Sequence, residues 1–122
     1  MGKLILFLIF TISIQQNTIT NLYGNWKLMN VQTSAETLYP TENFNLSITE
    51  KEVTFNRGPN KCWQIDFKLS ENEIQIGSGS CTEIAEHDPI CEILDYSGKY
   101  QIQDSTLTIV NNQGTFILIK QK

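Results

Sequence analysis

The sequence is poor in charged side chains: Asp, Glu, Lys and Arg make up 18% of its 122 residues. Basic residues are the scarcer kind, with 9 Lys and Arg against 13 Asp and Glu, so the formal net charge is -4. Nucleic acids and anionic membranes are bound by clusters of Lys and Arg that neutralise phosphate. The charge balance therefore argues against both as partners, whereas a cationic surface remains compatible with it.

The sequence also lacks the residues of a catalytic centre. His87 is the only histidine, so a catalytic pair or triad that uses imidazole as its base must use it. On a helix, its spacing of four to Cys91 would bring ring and thiol together. We expect Pro89 to open the helix, which leaves His87 outside it. We therefore predict no catalytic residues and no enzyme activity.

The sequence also lacks the residue spacings that are typical of metal sites and phosphate-binding loops. Three cysteines and His87 could in number hold a zinc ion, but no C-x-x-C or H-x-x-x-H pair provides a local chelate. The segment Gly77–Ser80 resembles a phosphate cradle without the Lys and the helix that follow one. A solvated loop that leads into a helix explains the carboxylates of Glu83, Glu86 and Asp88. We expect no cofactor and no metal site.

The sequence does contain a cationic start at Lys3, followed by an apolar segment from Leu4 to Ile14. This segment is shorter than the roughly 20 residues that cross a bilayer, and its layout is typical of a secretory signal peptide. We predict a signal peptide over residues 1–16, no membrane span, and a secreted, periplasmic or otherwise extracytoplasmic protein. Asn45, which begins an Asn-Leu-Ser sequon, is then a glycosylation candidate in a eukaryotic host.

Export bears on the three cysteines, because an oxidising compartment allows disulfide bonds. If residues 70–73 form the turn of a hairpin, the register places Cys62 opposite Cys81. Opposed Cα atoms of antiparallel strands are about 4.5 to 5.5 Å apart, a distance that a disulfide tolerates. Cys62 and Cys81 are therefore the disulfide candidates, and a bridge to Cys91 or the absence of any bridge are the alternatives.

From Gly24 onward, short apolar runs of period two alternate with turn-forming clusters, as in an antiparallel all-β domain. One short helix is expected after Asp88 as N-cap, with Pro89 at its first position and Gly98 at its end. A polar stretch over 32–42 is predicted as a long loop and a candidate contact surface. The predicted strands are Gly24–Val31, Asn43–Ile48, Glu52–Asn56, Lys61–Leu69, Glu73–Gly77, Lys99–Gln103, Thr106–Asn111 and Thr115–Lys120.

The predicted fold class is all-β and mainly antiparallel: a small β-barrel or strongly curved sheet of about eight strands with one short helix. An eight-stranded barrel is just wide enough to be filled by side chains or to hold one small ligand. Many of the predicted inward side chains are large, which favours a filled core. These positions are Trp26, Leu28, Phe44, Leu46, Ile48, Val53, Phe55, Trp63, Ile65, Phe67, Ile74, Ile76, Tyr100, Ile102, Leu107, Ile109, Phe116 and Leu118.

The opening strand, Leu22-Tyr23-Gly24-Asn25-Trp26-Lys27-Leu28, resembles the L-x-G-x-W-x-L strand of META or HslJ-like domains, which are small exported or envelope-associated β proteins. Thr82-Glu83-Ile84-Ala85 resembles the Thr-x-Met-Ala stretch of that family, and the segment from Leu107 to Leu118 resembles its closing hairpin. The resemblance implies a META/HslJ-like β-barrel domain over 17–122. It further implies a non-enzymatic role in stress resistance or envelope function.

Gly24-Asn25-Trp26 also resembles the G-x-W of the first lipocalin strand, in which the Trp closes one end of the barrel. That resemblance implies binding of an apolar ligand. Two functions follow from the sequence. The first is an exported, non-enzymatic module that acts by surface interaction or stress protection on an unknown protein partner. The alternative is a lipocalin-like carrier of a small apolar ligand.

Overall fold

The structure is a computed structural model, and it describes residues 17–64 and 66–122. The predicted signal peptide over 1–16 and the predicted inward position Ile65 lie outside the described residues. Within these residues the chain forms two short helices and eleven strands. The helices are α1 (Ile19–Leu22) and α2 (Ile90–Ile93). The strands are β1 (Gly24–Gln32), β2 (Thr37–Leu38), β3 (Asn45–Ile48), β4 (Val53–Arg57), β5 (Asn60–Gln64), β6 (Phe67–Leu69), β7 (Glu73–Ile76), β8 (Gly79–Cys81), β9 (Gly98–Gln103), β10 (Thr106–Asn111) and β11 (Gly114–Lys120).

The described strands belong to one antiparallel sheet. Their hydrogen-bonded order is β6-β7-β9-β10-β11-β1-β3-β4-β5-β8, with β2 beside β1. The strands at the two ends of this order, β6 and β8, belong to the same hairpin of the chain. The sheet therefore curls back towards itself as a strongly curved half-barrel, and the predicted all-β, mainly antiparallel fold class is confirmed.

The strand count is higher than the predicted number of about eight. The predicted fourth strand corresponds to two described strands, β5, which ends at Gln64, and β6, which begins at Phe67. β8 lies outside the predicted strands, and it forms because its residues extend the ladder that pairs them with β5. β2 forms within the predicted loop over 32–42, where Leu38 folds back to pair with Val31. That loop is therefore shorter than predicted.

The hairpin register is the one predicted from the turn over 70–73. Phe67 pairs with Ile76 near the turn, and Cys62 pairs with Cys81 at the far end. Between these pairs, and between the ends of β5 and β6, the backbone N–H of Gly77 donates to the carbonyl of Asp66 at 2.7 Å. The ladder therefore keeps its register across the break, and the two cysteines meet.

One apolar core lies on the concave side of the sheet. Trp26, Phe44, Tyr96 and Phe116 are its largest fully buried aromatic side chains. The Tyr96 ring meets the edges or faces of Phe55 and Phe116 in T-shaped contacts, with ring centres 5.3 Å and 6.1 Å apart. The described positions predicted to point inward are buried or partly buried, with one exception.

That exception is Trp63, for which the predicted inward orientation is wrong. Its side chain is 42% exposed, whereas the adjacent Cys62 is fully buried. Further along, Phe67 and Leu69 do pack against the core. Because Cys62 and Phe67 are an odd number of positions apart, the break between β5 and β6 changes which residues face inward. A period-two pattern continued across the break cannot show that change.

The first helix, α1, was not predicted. The hydroxyl of Thr18 caps it by accepting a hydrogen bond from the backbone N–H of Asn21 at 3.2 Å. The carbonyl of Leu22, its last residue, accepts a hydrogen bond from Nε1 of Trp26 at 2.9 Å. The ammonium of Lys120 lies 4.8 Å from the centre of the Trp26 ring. Together, α1 and Trp26 close this end of the core.

The second helix lies where the sequence predicted one, but it is shorter. It ends at Ile93 rather than at Gly98, because Leu94 is already extended (φ -64°, ψ 118°). Pro89 precedes its first residue instead of occupying it. The Asp88 carboxylate supports this turn by accepting the N–H of Ile90 at 2.9 Å. Neither described helix has the length and apolar composition required to span a bilayer.

Candidate functional site

Most of the polar residues singled out in the sequence lie in one loop, residues 82–89, which we call the end loop. It connects β8 to α2 without regular secondary structure. The side chains of Glu83 and His87 are exposed, and that of Ile84 is 56% exposed. An irregular loop keeps one conformation only if its backbone groups find partners elsewhere.

Asn60, the first residue of β5, supplies those partners from a side chain that is only 2% exposed. Its amide nitrogen donates to the carbonyl of Ile84 (2.7 Å) and to the carboxylate of Glu86 (3.0 Å). Its amide oxygen accepts from the hydroxyl of Thr82 (2.8 Å) and the N–H of Ile84 (2.7 Å). All hydrogen bonds that the Asn60 side-chain amide can donate, and both that its oxygen can accept, are therefore made with the end loop. The turn before it requires Gly58, whose φ is +56°.

Arg57 joins the end loop to α2. Its Nε and Nη2 atoms donate to the two carboxylate oxygens of Glu86 at 3.0 Å and 3.2 Å. Nη2 also donates to the carbonyl of Cys91 at 2.6 Å. Both side chains of the ion pair are partly exposed (33% and 26%), so its contribution to stability is modest. Its bidentate geometry orients the loop.

Asp88 anchors the other end of the loop and is 4% exposed. One carboxylate oxygen accepts from the N–H and the hydroxyl of Thr41 at 2.7 Å and 2.9 Å. Burial by itself raises the pKa of this carboxyl. The hydrogen bonds from Thr41, Ile90 and Glu42 outweigh burial, so the pKa lies below its ordinary value of 3.8. Asp88 is therefore an ionised anchor and not a proton donor.

Cys91 is a free cysteine with a side chain that is 4% exposed. Burial raises the pKa of its thiol, and the carboxylate of Glu86 raises it further. A thiol with a raised pKa stays protonated at neutral pH and is a poor nucleophile. His87 is exposed and precedes α2. This arrangement differs from that of an activated Cys-His pair, in which the thiol pKa is lowered.

Cys62 and Cys81 form a disulfide, so the predicted pairing is confirmed and the alternative bridge to Cys91 is not formed. The bridge removes two of the thiols that a zinc site would have needed. Among residues 17–64 and 66–122, no group of three or more His, Cys, Asp and Glu side chains is arranged to hold a metal ion. The last two residues of the segment Gly77–Ser80 belong to β8, and the element that directly follows the segment is therefore a strand and not a helix.

A second surface was missed by the sequence analysis: the convex side of β1, β3, β4, β5 and β8. One row of side chains crosses these strands in register, and a neighbouring row pairs Lys27 with Asn45 and Asn56 with Lys61. These residues alternate with inward positions such as Trp26 and Leu46, which directs them away from the core. We call them the outer face. The members of the first row are Asn25, Ser47, Thr54, Trp63 and Ser80.

Trp63 is the large apolar side chain of the outer face. Thr54 and Ser80 flank it on the two adjacent strands, and the ammonium of Lys61 lies 5.6 Å from the centre of its ring. The disulfide joins the same two strands, β5 and β8, one residue away. A signal for this surface was present in the sequence. Because neighbouring residues of a strand face opposite sides, a buried Cys62 implies an outward Trp63.

The outer face differs in charge from the rest of the chain. It carries two lysines, Lys27 and Lys61, and no carboxylate, although acidic residues outnumber basic ones overall. Apart from Trp63, its other side chains are hydroxyls and amides. The glycosylation candidate Asn45 belongs to this face, where its amide donates to the side-chain oxygen of Asn43 at 3.0 Å. Its glycosylation stays a prediction.

Comparison of the chain with protein-family models, with curated proteins and with solved structures finds no match. The resemblances to META/HslJ-like domains and to lipocalins therefore stay predictions. The core, the end loop and the outer face are the features of the structure that bear on function.

Proposed function

We propose that the protein is an exported, non-enzymatic module that acts by surface interaction or stress protection, through its outer surface and loops. The observation that carries this proposal is the filled interior. Trp26, Phe44, Tyr96 and Phe116 are each at most 2% exposed and meet in one core. Side chains of this size occupy the space in which a carrier would hold its ligand.

The surface depressions found among the described residues also support a non-carrier function, because two of them lie open to solvent. One of about 380 Å³ is lined by residues 66–68 and 75–77. Another of about 630 Å³ lies beside β7 and β9 and is lined in part by Asp95, Lys99 and Asn111. Ligand pockets of carriers are concave, largely apolar and enclose most of the ligand. These two depressions are open to solvent and do not enclose a ligand in this way.

Two further observations support the remaining parts of the proposal. The Cys62–Cys81 disulfide is of the kind that persists in oxidising compartments, which fits export. The polar residues of the end loop have structural partners: Asn60 holds the backbone, Arg57 orients Glu86, and Asp88 binds Thr41. Those partners account for the cluster without a catalytic role.

Native mass spectrometry and thermal unfolding of the full mature chain test the proposal against the carrier alternative. We expect the protein to leave its producing cell without a retained apolar ligand, and we expect palmitate and benzene to leave its Tm unchanged. Phe116→Ala is the matched control, because an apolar cavity made by truncation binds benzene. Its Tm should rise with benzene. A stoichiometric apolar ligand retained by the wild-type protein would contradict the proposal and favour the carrier.

A further inference from the structure

We propose that the outer face binds an acidic oligosaccharide, with the Trp63 indole against a sugar ring and Lys61 and Lys27 beside its anionic groups. This inference rests on the proposed function and names the surface and the ligand class. It starts from an indole that is 42% exposed, on a strand whose neighbours hold it in place.

The shape and chemistry of Trp63 fit a sugar ring. A pyranose has a face of C–H groups and a rim of hydroxyls, so it needs a flat apolar surface bordered by hydrogen-bonding groups. The indole provides that flat surface and loses little conformational entropy on binding. Covering it removes apolar area from water, which favours binding.

The border of the ring is polar on both sides. The hydroxyl-bearing residues Thr54 and Ser80 pair with Trp63 in the strands to its left and right. Ser47 continues the row beyond Thr54, and Asn56 lies opposite Lys61 in the next row. Hydroxyl and amide groups both donate and accept hydrogen bonds, as the hydroxyls of a sugar require.

The charge of the outer face selects acidic sugars. Its two lysines have no carboxylate among the nine residues of the face to pair with, in a chain that carries a net charge of -4. The Lys61 ammonium lies 5.6 Å from the centre of the Trp63 ring, close enough to meet a carboxylate or sulfate on a stacked sugar. Two lysines are too few for the phosphate backbone of a nucleic acid.

The same composition argues against a protein segment as the occupant. The centre of a protein interface is apolar and built from several adjacent anchors. Here Trp63 is the large apolar residue of a face whose other members are Asn, Ser, Thr and Lys. The strand pairs and the disulfide between β5 and β8 hold this surface in one geometry before binding, which lowers the entropic cost of binding a flexible chain.

Titration of the full mature protein, followed by tryptophan fluorescence and calorimetry, tests the inference. The probes are oligogalacturonate and a heparin-derived hexasaccharide, with methyl-esterified oligogalacturonate as the uncharged match. We expect the acidic probes to bind, more weakly as salt is raised, and the esterified probe to bind less tightly. Trp63→Ala should weaken binding by at least about tenfold, as expected for an aromatic at the centre of a contact.

Lys61→Ala should weaken only the acidic probes, and Trp63→Phe should retain part of the affinity. Val110→Ala is the control, because Val110 is 51% exposed on β10, away from the outer face. Thermal unfolding of each variant confirms that it folds. Equal binding by wild type and Trp63→Ala, binding of the esterified probe alone, or no saccharide binding at all would each overturn the inference. The proposed function would fail separately, through an apolar ligand in the interior.

Discussion

The two tryptophans of the chain lie on opposite sides of the same sheet. Trp26 is 1% exposed, and its indole N–H donates to the carbonyl of Leu22 at 2.9 Å. Trp63 is 42% exposed on the convex side. Each ring has a lysine ammonium near it, Lys120 at 4.8 Å and Lys61 at 5.6 Å. The difference in burial indicates that the interior serves stability and the convex side is available for binding.

The largest expected effect comes from truncating the buried ring. Trp26→Ala should lower the free energy of unfolding by about 4 kcal/mol, because it leaves a cavity and an unpaired carbonyl at Leu22. Trp63→Ala should change it by less than about 0.5 kcal/mol, as for other exposed substitutions. Urea unfolding of both variants makes the comparison. Similar losses in the two variants would show that the two sides of the sheet do not differ as described.

Removing the disulfide tests whether the environment of Trp63 on the convex side depends on the hairpin that the disulfide closes. Replacing Cys62 and Cys81 together with Ala should destabilise the protein by about 3 kcal/mol, because it opens a loop with a sequence separation of 19. Acrylamide should also quench Trp63 more in this variant. Cys91→Ala is the control, and it should leave the quenching unchanged. A non-reducing peptide map with Cys91 in a linked peptide would refute the pairing.

The end loop depends on one buried amide, which gives a third, smaller effect. Asn60→Ala should lower the free energy of unfolding by about 2 kcal/mol, since it removes the hydrogen-bond partners of Thr82 and Ile84. Hydrogen exchange at the Ile84 amide should become faster, while exchange in β10 and β11 stays slow. Asn112→Ala, an exposed change in the β10–β11 turn, is the matched control. Unchanged exchange at Ile84 in Asn60→Ala would contradict this role.

The smallest effect is the pH dependence that Asp88 contributes. Its carboxyl has a lowered pKa in the folded state, so the folded protein binds this proton less readily than the unfolded chain. Its contribution is complete above the ordinary value of 3.8 and is lost as pH falls through the folded pKa. Asp88→Asn should lower the free energy of unfolding by about 1 kcal/mol at neutral pH. Below about pH 4, the stability of this variant should fall less steeply with pH than that of the wild type. Identical acid unfolding curves would disprove the assignment.

Much of the fold follows from local sequence signals. The turn over 70–73 and the side-chain parity that follows it fix the hairpin register, and the register brings Cys62 to Cys81. The inward residues of most core strands follow from their alternation and were predicted correctly. Val31 is fully buried and was not predicted, because an irregularity between Leu28 and Asn30 shifts the alternation of β1. The face of Trp63 was predicted incorrectly, because the inward positions of β5 and β6 are an odd number of residues apart. A period-two pattern continued from one strand to the next cannot show such a change.

The end loop and the outer face could be predicted only in part. The sequence predicted Asp88 as the N-cap of the second helix, but the N-cap is Pro89, one residue later. The Asp88 carboxylate still accepts the N–H of Ile90 at 2.9 Å. The pairing of Arg57 with Glu86 joins residues 29 positions apart, and such a contact depends on the tertiary fold. The outer face likewise requires the order β1-β3-β4-β5-β8, which no local pattern specifies. Long-range register therefore limits what the sequence alone can predict.

Two-dimensional proton–nitrogen NMR of the two indole N–H groups tests most directly whether binding occurs on the convex side. One resonance belongs to the buried Trp26 and the other to the exposed Trp63, and Trp63→Phe assigns them. During titration with oligogalacturonate, we predict that the Trp63 resonance and the backbone amides of Thr54 and Ser80 shift while the Trp26 resonance stays in place. A ligand that shifts the Trp26 resonance and leaves Trp63 unmoved would contradict the account.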